Sequence, residues 1–162
     1  MCNKVNKSDH YYGAFLAKVV NQVDKLALID SGSNRGVYKV YTDNIDKQGC
    51  YIYIKYATNK KGDNLWNFNF SKDNLDEIKE YIKNGANIKF AFICSFRSLL
   101  DTEIGICNVN ELKKCIDINY QEDKNQRLAI LKKSNSPYLR FYGTNLTREN
   151  CIEIERSRIN SF

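Results

Sequence analysis

Three short runs rich in β-branched and aromatic residues lie close together in the first half of the chain, and they constrain its fold more than any other feature. They occupy residues 36–43, 49–58 and 65–71. The breaks between them, NIDKQ and NKKGDN, are polar and suit hairpin connections. The sequence therefore predicts an antiparallel three-strand meander.

Helical spacing of apolar residues appears on both sides of this meander. Residues 8–23 carry apolar side chains on one face, with Ser8 placed to cap the helix. Residues 71–85 repeat the pattern, with Ser71 or Asp73 as the cap. We expect one helix before the meander and one after it.

A second set of strands follows the second helix. Residues 87–95 and 103–109 are apolar, strand-like runs and are expected to pair. Asn108 and Glu111 have the spacing of a capping box, which predicts a short helix directly after them.

The last third of the chain contains a predicted hairpin and an ambiguous tail. The hairpin joins 127–133 to 138–143 across the sequence SNSP. In the tail, 144–162, a strand through Ile152 and a helix capped by Thr147 are both compatible with the pattern.

The order of elements indicates an α+β fold, or an α/β sandwich, with a mixed central sheet. At 162 residues the chain fits a single domain spanning 1–162. It has no apolar run of transmembrane length, and its first residues lack the apolar core of a secretory signal. We therefore expect a cytoplasmic protein, in a bacterium or an infected host cell, with no membrane partner.

The six cysteines are scattered singly, without a C-x-x-C pair. Disulfide frameworks belong mainly to small secreted domains, so we interpret these cysteines as reduced and mostly buried thiols. The single histidine, His10, is far in sequence from any pair of cysteines, which disfavours zinc. No metal or other cofactor is expected from these residues.

The formal net charge of +6 favours a polyanionic partner. Nucleic acid and an acidic protein surface both satisfy this condition. Asn, Lys, Ile and Tyr are abundant while Pro is rare, which is typical of AT-rich coding. A bacterial or phage source is therefore expected.

Over residues 8–118 the order of elements resembles the core of the restriction-endonuclease-like, or PD-(D/E)XK, superfamily. The resemblance implies that Asp43 or Asp46 is the first metal-binding acid, that Tyr53 stands at the second acid position, and that Lys55 is the catalytic lysine. In active members two carboxylates hold magnesium while the lysine assists the attacking water.

Tyr53 is a departure from that family pattern. A phenol titrates near pH 10 and does not replace a carboxylate at neutral pH. The resemblance therefore implies a degenerate site, and magnesium would be needed only if the chain is a nuclease with an acid supplied from elsewhere.

Alternation along the second strand places Tyr51, Tyr53 and Lys55 on one face. Lys60 and Lys61 follow in the next loop. Aromatic rings that stack on bases, next to ammonium groups that neutralise phosphates, are the combination used by single-strand binders. The alternative interpretation is an ordinary solvent-facing lysine on an edge-like strand, which keeps a sheet unpaired.

A second basic cluster lies on the predicted hairpin. It consists of Lys132, Lys133 and Arg140, and it either extends a binding face or forms a solvated strand edge.

The sequence leaves three functions open. The first is a non-catalytic binding protein of bacterial or mobile-element origin that contacts nucleic acid or a nucleic-acid-handling complex. The second is a small magnesium-dependent nuclease. The third is a phage-type inhibitor of a bacterial defence system, with exposed tyrosines as interface anchors.

Overall fold

A computed structural model describes residues 4–21, 26–31, 36–42, 49–59, 63–97, 99, 101–120, 122 and 124–161. The helices are α1 (Lys7–Val20), α2 (Lys72–Lys83) and α3 (Val109–Cys115), and a 3-10 helix spans Arg156–Ser161. The strands are β1 (Leu26–Ser31), β2 (Val37–Thr42), β3 (Cys50–Asn59), β4 (Leu65–Phe70), β5 (Ile88–Phe96), β6 (Glu103–Asn108), β7 (Gln126–Lys132), β8 (Tyr138–Gly143) and β9 (Ile152–Glu155).

The described strands form two sheets. The first has the order β1-β2-β3-β5-β6. It is mixed, because β3 and β5 are parallel while the other neighbouring strands in this sheet are antiparallel. The second has the order β4-β7-β8-β9 and is antiparallel. The predicted α+β class, with an N-terminal helix, a mixed sheet and a late hairpin, is confirmed.

The three-strand meander of the first sheet does not consist of the three strands that were predicted to form it. Strands occupy all three predicted runs, but β4 pairs with β7 in the second sheet instead of with β3. At the end of β3 the Asn59 side chain donates a hydrogen bond of 2.8 Å to the carbonyl of Leu65, the first residue of β4. The meander in the first sheet is β1-β2-β3, and its first strand was not predicted.

The main core lies between the two sheets. Phe92 of β5 contacts Phe68 of β4 and Phe141 of β8, with ring centres 4.9 and 5.9 Å apart. A smaller core covers the opposite face of the first sheet, where Phe15 and Val19 of α1 are fully buried. Both faces of the first sheet are therefore covered.

Local capping signals account for the helix starts. The cap of α1 is Asn6 instead of the predicted Ser8, because the Asn6 side chain accepts the Asp9 N–H while the Asp9 carboxylate accepts the Asn6 N–H. The predicted cap of α2, Ser71, and the predicted capping box that opens α3 are confirmed.

The tail forms strand β9, which settles the ambiguity in favour of a strand through Ile152. Two arginines of the following 3-10 helix attach it to the first sheet and to α3. Arg156 makes two hydrogen bonds to the Glu103 carboxylate, and Arg158 makes two to Glu111.

Four of the described cysteines are buried and unpaired, as predicted: Cys50, Cys94, Cys107 and Cys115. Cys151 is also unpaired but only half-buried, and Cys2 lies outside the described residues. None of the helices in the described ranges is long and apolar enough to cross a membrane.

Candidate functional site

Lys55 lies on the central strand of the first sheet, between β2 and β5, so its interpretation as a lysine on an edge-like strand is wrong. Its ammonium donates hydrogen bonds to the Asn69 carbonyl at 2.9 Å and to the Asn74 side-chain oxygen at 3.0 Å. It also lies 4.9 Å from the centre of the Phe70 ring. Lys55 therefore connects the central strand to β4 and the start of α2.

Burial lowers the pKa of Lys55 to about 8, and the charge of Glu77 on α2 opposes this shift only in part. Glu77 is itself unusual, because its Oε1 atom is buried without a hydrogen-bond partner among the described residues. The arrangement provides a partly desolvated amine that is held by neutral oxygen acceptors.

The face shared by Tyr51, Tyr53 and Lys55 is largely covered in the fold. These side chains point toward the second sheet and α2, and only 6% of Tyr53 is exposed. Burial, followed by the nearby Glu77 charge, raises the pKa of Tyr53 well above that of an ordinary phenol. Tyr53 is therefore a neutral core residue at neutral pH.

Of the residues implied for the metal site, the structure describes Tyr53 and Lys55. Within the described ranges, no three Asp, Glu, His or Cys side chains are grouped closely enough to hold a metal ion. Asp43 and Asp46, the candidates for the first acid, lie outside the described residues, as do Lys60 and Lys61.

Tyr51 differs from its two neighbours on this face, because it lines an open cleft of about 370 Å³ at the C-terminal end of α2. The other lining residues within the described ranges are Lys39, Gly49, Tyr81, Asn84, Gly85, Ala86 and Asn87. We call this the tyrosine cleft. One wall consists of the Tyr51 and Tyr81 rings, whose centres are 4.9 Å apart.

Lys39 supplies the positive charge of the tyrosine cleft. Its ammonium lies 5.0 Å from the centre of the Tyr51 ring and 5.2 Å from that of Tyr41. The hydrogen bond with the Tyr41 side chain raises the pKa of Lys39, so this lysine is charged at neutral pH. A cation beside two partly exposed rings offers a flat, anionic ligand both stacking and charge neutralisation.

Acidic neighbours pair with two of the three residues of the predicted basic cluster on the β7–β8 hairpin. The Lys132 ammonium lies 2.7 Å from the Glu103 carboxylate, and the Arg140 guanidinium lies 3.0 Å from that of Glu153. Lys133 is exposed. Much of the positive charge predicted for this cluster is therefore balanced within the protein.

Sequence reasoning missed Lys39 and Tyr81 as cleft residues. Lys39 lies directly opposite Tyr51 in the antiparallel β2–β3 pair, a relationship that requires the strand register. Tyr81 comes from the last turns of α2, and nothing local to the sequence indicates that this helix end meets β3.

Comparison with known proteins finds no matching family model, no matching curated protein and no matching solved structure.

Proposed function

We propose that the chain is a non-catalytic binding protein, of bacterial or mobile-element origin, that contacts single-stranded nucleic acid through the tyrosine cleft. The position of the Lys39 ammonium, 5.0 Å from the Tyr51 ring at an open cleft, is the observation that carries this proposal. The net charge of +6 supports it, since excess positive charge attracts a polyanion over a long range.

A reaction is not part of the proposed function. The side chain at the second acid position is the buried phenol of Tyr53, and the Lys55 ammonium bonds to an amide oxygen and a backbone carbonyl. Neither arrangement resembles a carboxylate pair that holds a metal ion beside a lysine.

Fluorescence anisotropy with labelled single-stranded DNA and RNA, measured over a range of salt concentrations, tests the proposed function. Loss of one phosphate contact in Lys39→Gln should reduce the slope of log K against log salt concentration by about 0.7, the value for one contact to a single strand. Loss of one stacked ring in Tyr81→Leu should weaken binding by roughly 1–3 kcal/mol, and Tyr81→Phe should restore it.

Lys83→Gln is the matched control. Lys83 is an exposed lysine at the end of α2 that does not line the tyrosine cleft, and its loss changes the net charge by the same amount. Equal weakening by Lys39→Gln and Lys83→Gln would show attraction by net charge alone and would refute the role of the cleft.

Two further results would overturn the proposed function as stated. The absence of binding to either polymer at low salt would remove nucleic acid as the ligand. Cutting of plasmid or single-stranded DNA in magnesium or manganese, if abolished by Lys55→Ala, would replace a binding protein with a nuclease.

A further inference from the structure

A second pocket, of about 260 Å³, opens at the other end of β3 from the tyrosine cleft. It is lined by Lys7, His10, Tyr11, Thr58, Arg97 and Leu99. We call it the strand-end pocket.

The position of the strand-end pocket follows from the sheet topology. Thr58 is near the carboxyl end of β3, and Arg97 directly follows β5. These two strands form the parallel pair of the first sheet, in which Thr58 lies opposite Ser95. In open α/β sheets, ligands bind just outside the carboxyl ends of the parallel strands, and the strand-end pocket has this position relative to the β3–β5 pair.

The strand-end pocket has three basic side chains among its described lining residues. Lys7, His10 and Arg97 are all exposed, and within the described ranges none of them takes part in an ion pair. None of the lining residues that the structure describes carries a carboxylate. These side chains offer an anion several hydrogen-bond donors, and the Arg97 guanidinium can bind two oxygens of one anionic group at once.

A hydroxyl pair adds a further donor at a buried position. The Tyr11 hydroxyl lies 3.1 Å from the Thr58 hydroxyl, and only 4% of Tyr11 is exposed. Whichever hydroxyl accepts in this pair keeps its own hydrogen, which is then available to a ligand oxygen.

The rim of the strand-end pocket is apolar at Leu99. Its side chain is 57% exposed, and its backbone adopts a φ of +60°, which is unfavourable for a leucine. The Leu99 N–H donates to the Phe96 carbonyl, and the Leu99 carbonyl accepts a bond from the Thr102 hydroxyl, each at 3.1 Å. These bonds hold an apolar side chain beside the cations.

We propose that the strand-end pocket binds a small organic phosphate monoester. Lys7, His10 and Arg97 hold the phosphate, and the apolar or aromatic body of the ligand lies against Tyr11 and Leu99. Three cationic or ionisable donors and a hydroxyl suit a dianion better than a carboxylate, which carries one charge and two oxygens. Among the described residues, none lines both this site and the tyrosine cleft, so the two proposals stand or fall separately.

Isothermal titration calorimetry at low salt tests the proposed phosphate site, with phenyl phosphate as the probe. Saturable binding is expected at concentrations below about 10 mM, and benzoate and inorganic phosphate should each bind more weakly. Phenyl phosphate binding that does not saturate in this range, or benzoate binding of equal strength, would overturn the assignment.

Substitutions at two exposed positions test the contacts to the phosphate and to the apolar body of the ligand separately. Arg97→Gln should weaken phenyl phosphate binding by at least about tenfold, the loss of one charge-assisted contact. Leu99→Ser should weaken phenyl phosphate binding but leave inorganic phosphate binding unchanged.

Lys113→Gln, at an exposed position of α3 outside the strand-end pocket, is the charge control and should bind phenyl phosphate like the unmodified protein. Equal weakening in Lys113→Gln and Arg97→Gln would refute a localised site. Thermal unfolding of each variant should show an unchanged midpoint, because all three side chains are exposed.

Discussion

The side-chain oxygen of Asn74 accepts a hydrogen bond of 3.0 Å from the Lys55 ammonium. The same oxygen accepts the N–H of Ser71 at 3.3 Å and so completes the capping box of α2. The central strand is thus tied to the first turn of a helix, where the helix dipole is positive and disfavours a nearby cation. A charged Lys55 is therefore held in surroundings that favour its neutral form.

Lys55 should titrate near pH 8, because its burial lowers its pKa to about 8. Unfolding returns the amine to about 10.4, so this group alone makes the free energy of unfolding rise between about pH 8 and 10.4. NMR titration of ¹³C-labelled lysine side chains measures the pKa directly. One resonance should titrate near pH 8 and vanish in Lys55→Met; lysines that all titrate above pH 10 would contradict the expectation.

Local sequence patterns predicted where the helices and strands lie better than they predicted which strands pair. Alternation of apolar residues indicated β4, but its membership of the second sheet depends on pairing with β7, about 60 residues later. Alternation likewise showed that Tyr51, Tyr53 and Lys55 share a face. It did not show that α2 and the second sheet cover this face, since burial is a tertiary property.

Neither pocket could be predicted from the sequence, because each is lined by residues that are far apart along the chain. Lys39 meets Tyr51 only through the register of two antiparallel strands. The strand-end pocket combines the first turn of α1 with residues some 50 and 90 positions later in the chain. No spacing rule links residues at such separations.

Gly105→Ala should destabilise the protein. A Cβ atom at Gly105 would lie 2.6 Å from the Cζ atom of the fully buried Phe141 ring. Overpacking of this kind costs roughly 1–3 kcal/mol. Gly13→Ala is the matched control, because no atom of the described residues lies within 4 Å of its Cβ position in α1. It should stabilise the protein by about 0.5–1 kcal/mol.

Urea unfolding of both glycine variants measures these opposite effects. A double variant, Gly105→Ala with Phe141→Leu, should lose less unfolding free energy than the two single variants lose together, since the smaller side chain relieves the contact. Additive losses would show that the destabilisation by Gly105→Ala does not come from contact with the Phe141 ring.

Glu103→Gln should destabilise the protein more than Glu153→Gln. The Glu103 side chain is only 12% exposed and contacts both Lys132 and Arg156, so its neutralisation leaves two cations without their partner. We expect a loss of roughly 1–3 kcal/mol. The Glu153 side chain is 46% exposed and pairs with Arg140, and loss of such a surface pair costs about 1 kcal/mol or less.

Acid titration provides a second measure of the Glu103 contacts. Burial alone would raise the pKa of Glu103, but hydrogen bonds from Arg156 and Lys132 outweigh it and lower the pKa. The stabilisation is complete above the unfolded pKa of about 4.3 and is lost as the pH falls through the lower folded value. Glu103→Gln should therefore flatten the acid limb of the stability curve, and an unchanged limb would exclude this carboxylate as its source.

The free energy of unfolding should fall as the pH rises above about 8.5, where thiols of the unfolded chain begin to ionise. Burial raises the pKa of Cys94 and Cys107 well above this value and that of Cys115 to about 12. The folded state therefore keeps protons that the unfolded state has lost, and stability decreases with pH. Denaturation by guanidinium chloride at pH 7, 9 and 10, with a reductant present, measures the slope. Cys115→Ala should make the slope shallower, whereas Lys55→Met should steepen it by removing a group that acts in the opposite direction; a slope unchanged by either variant would contradict this account.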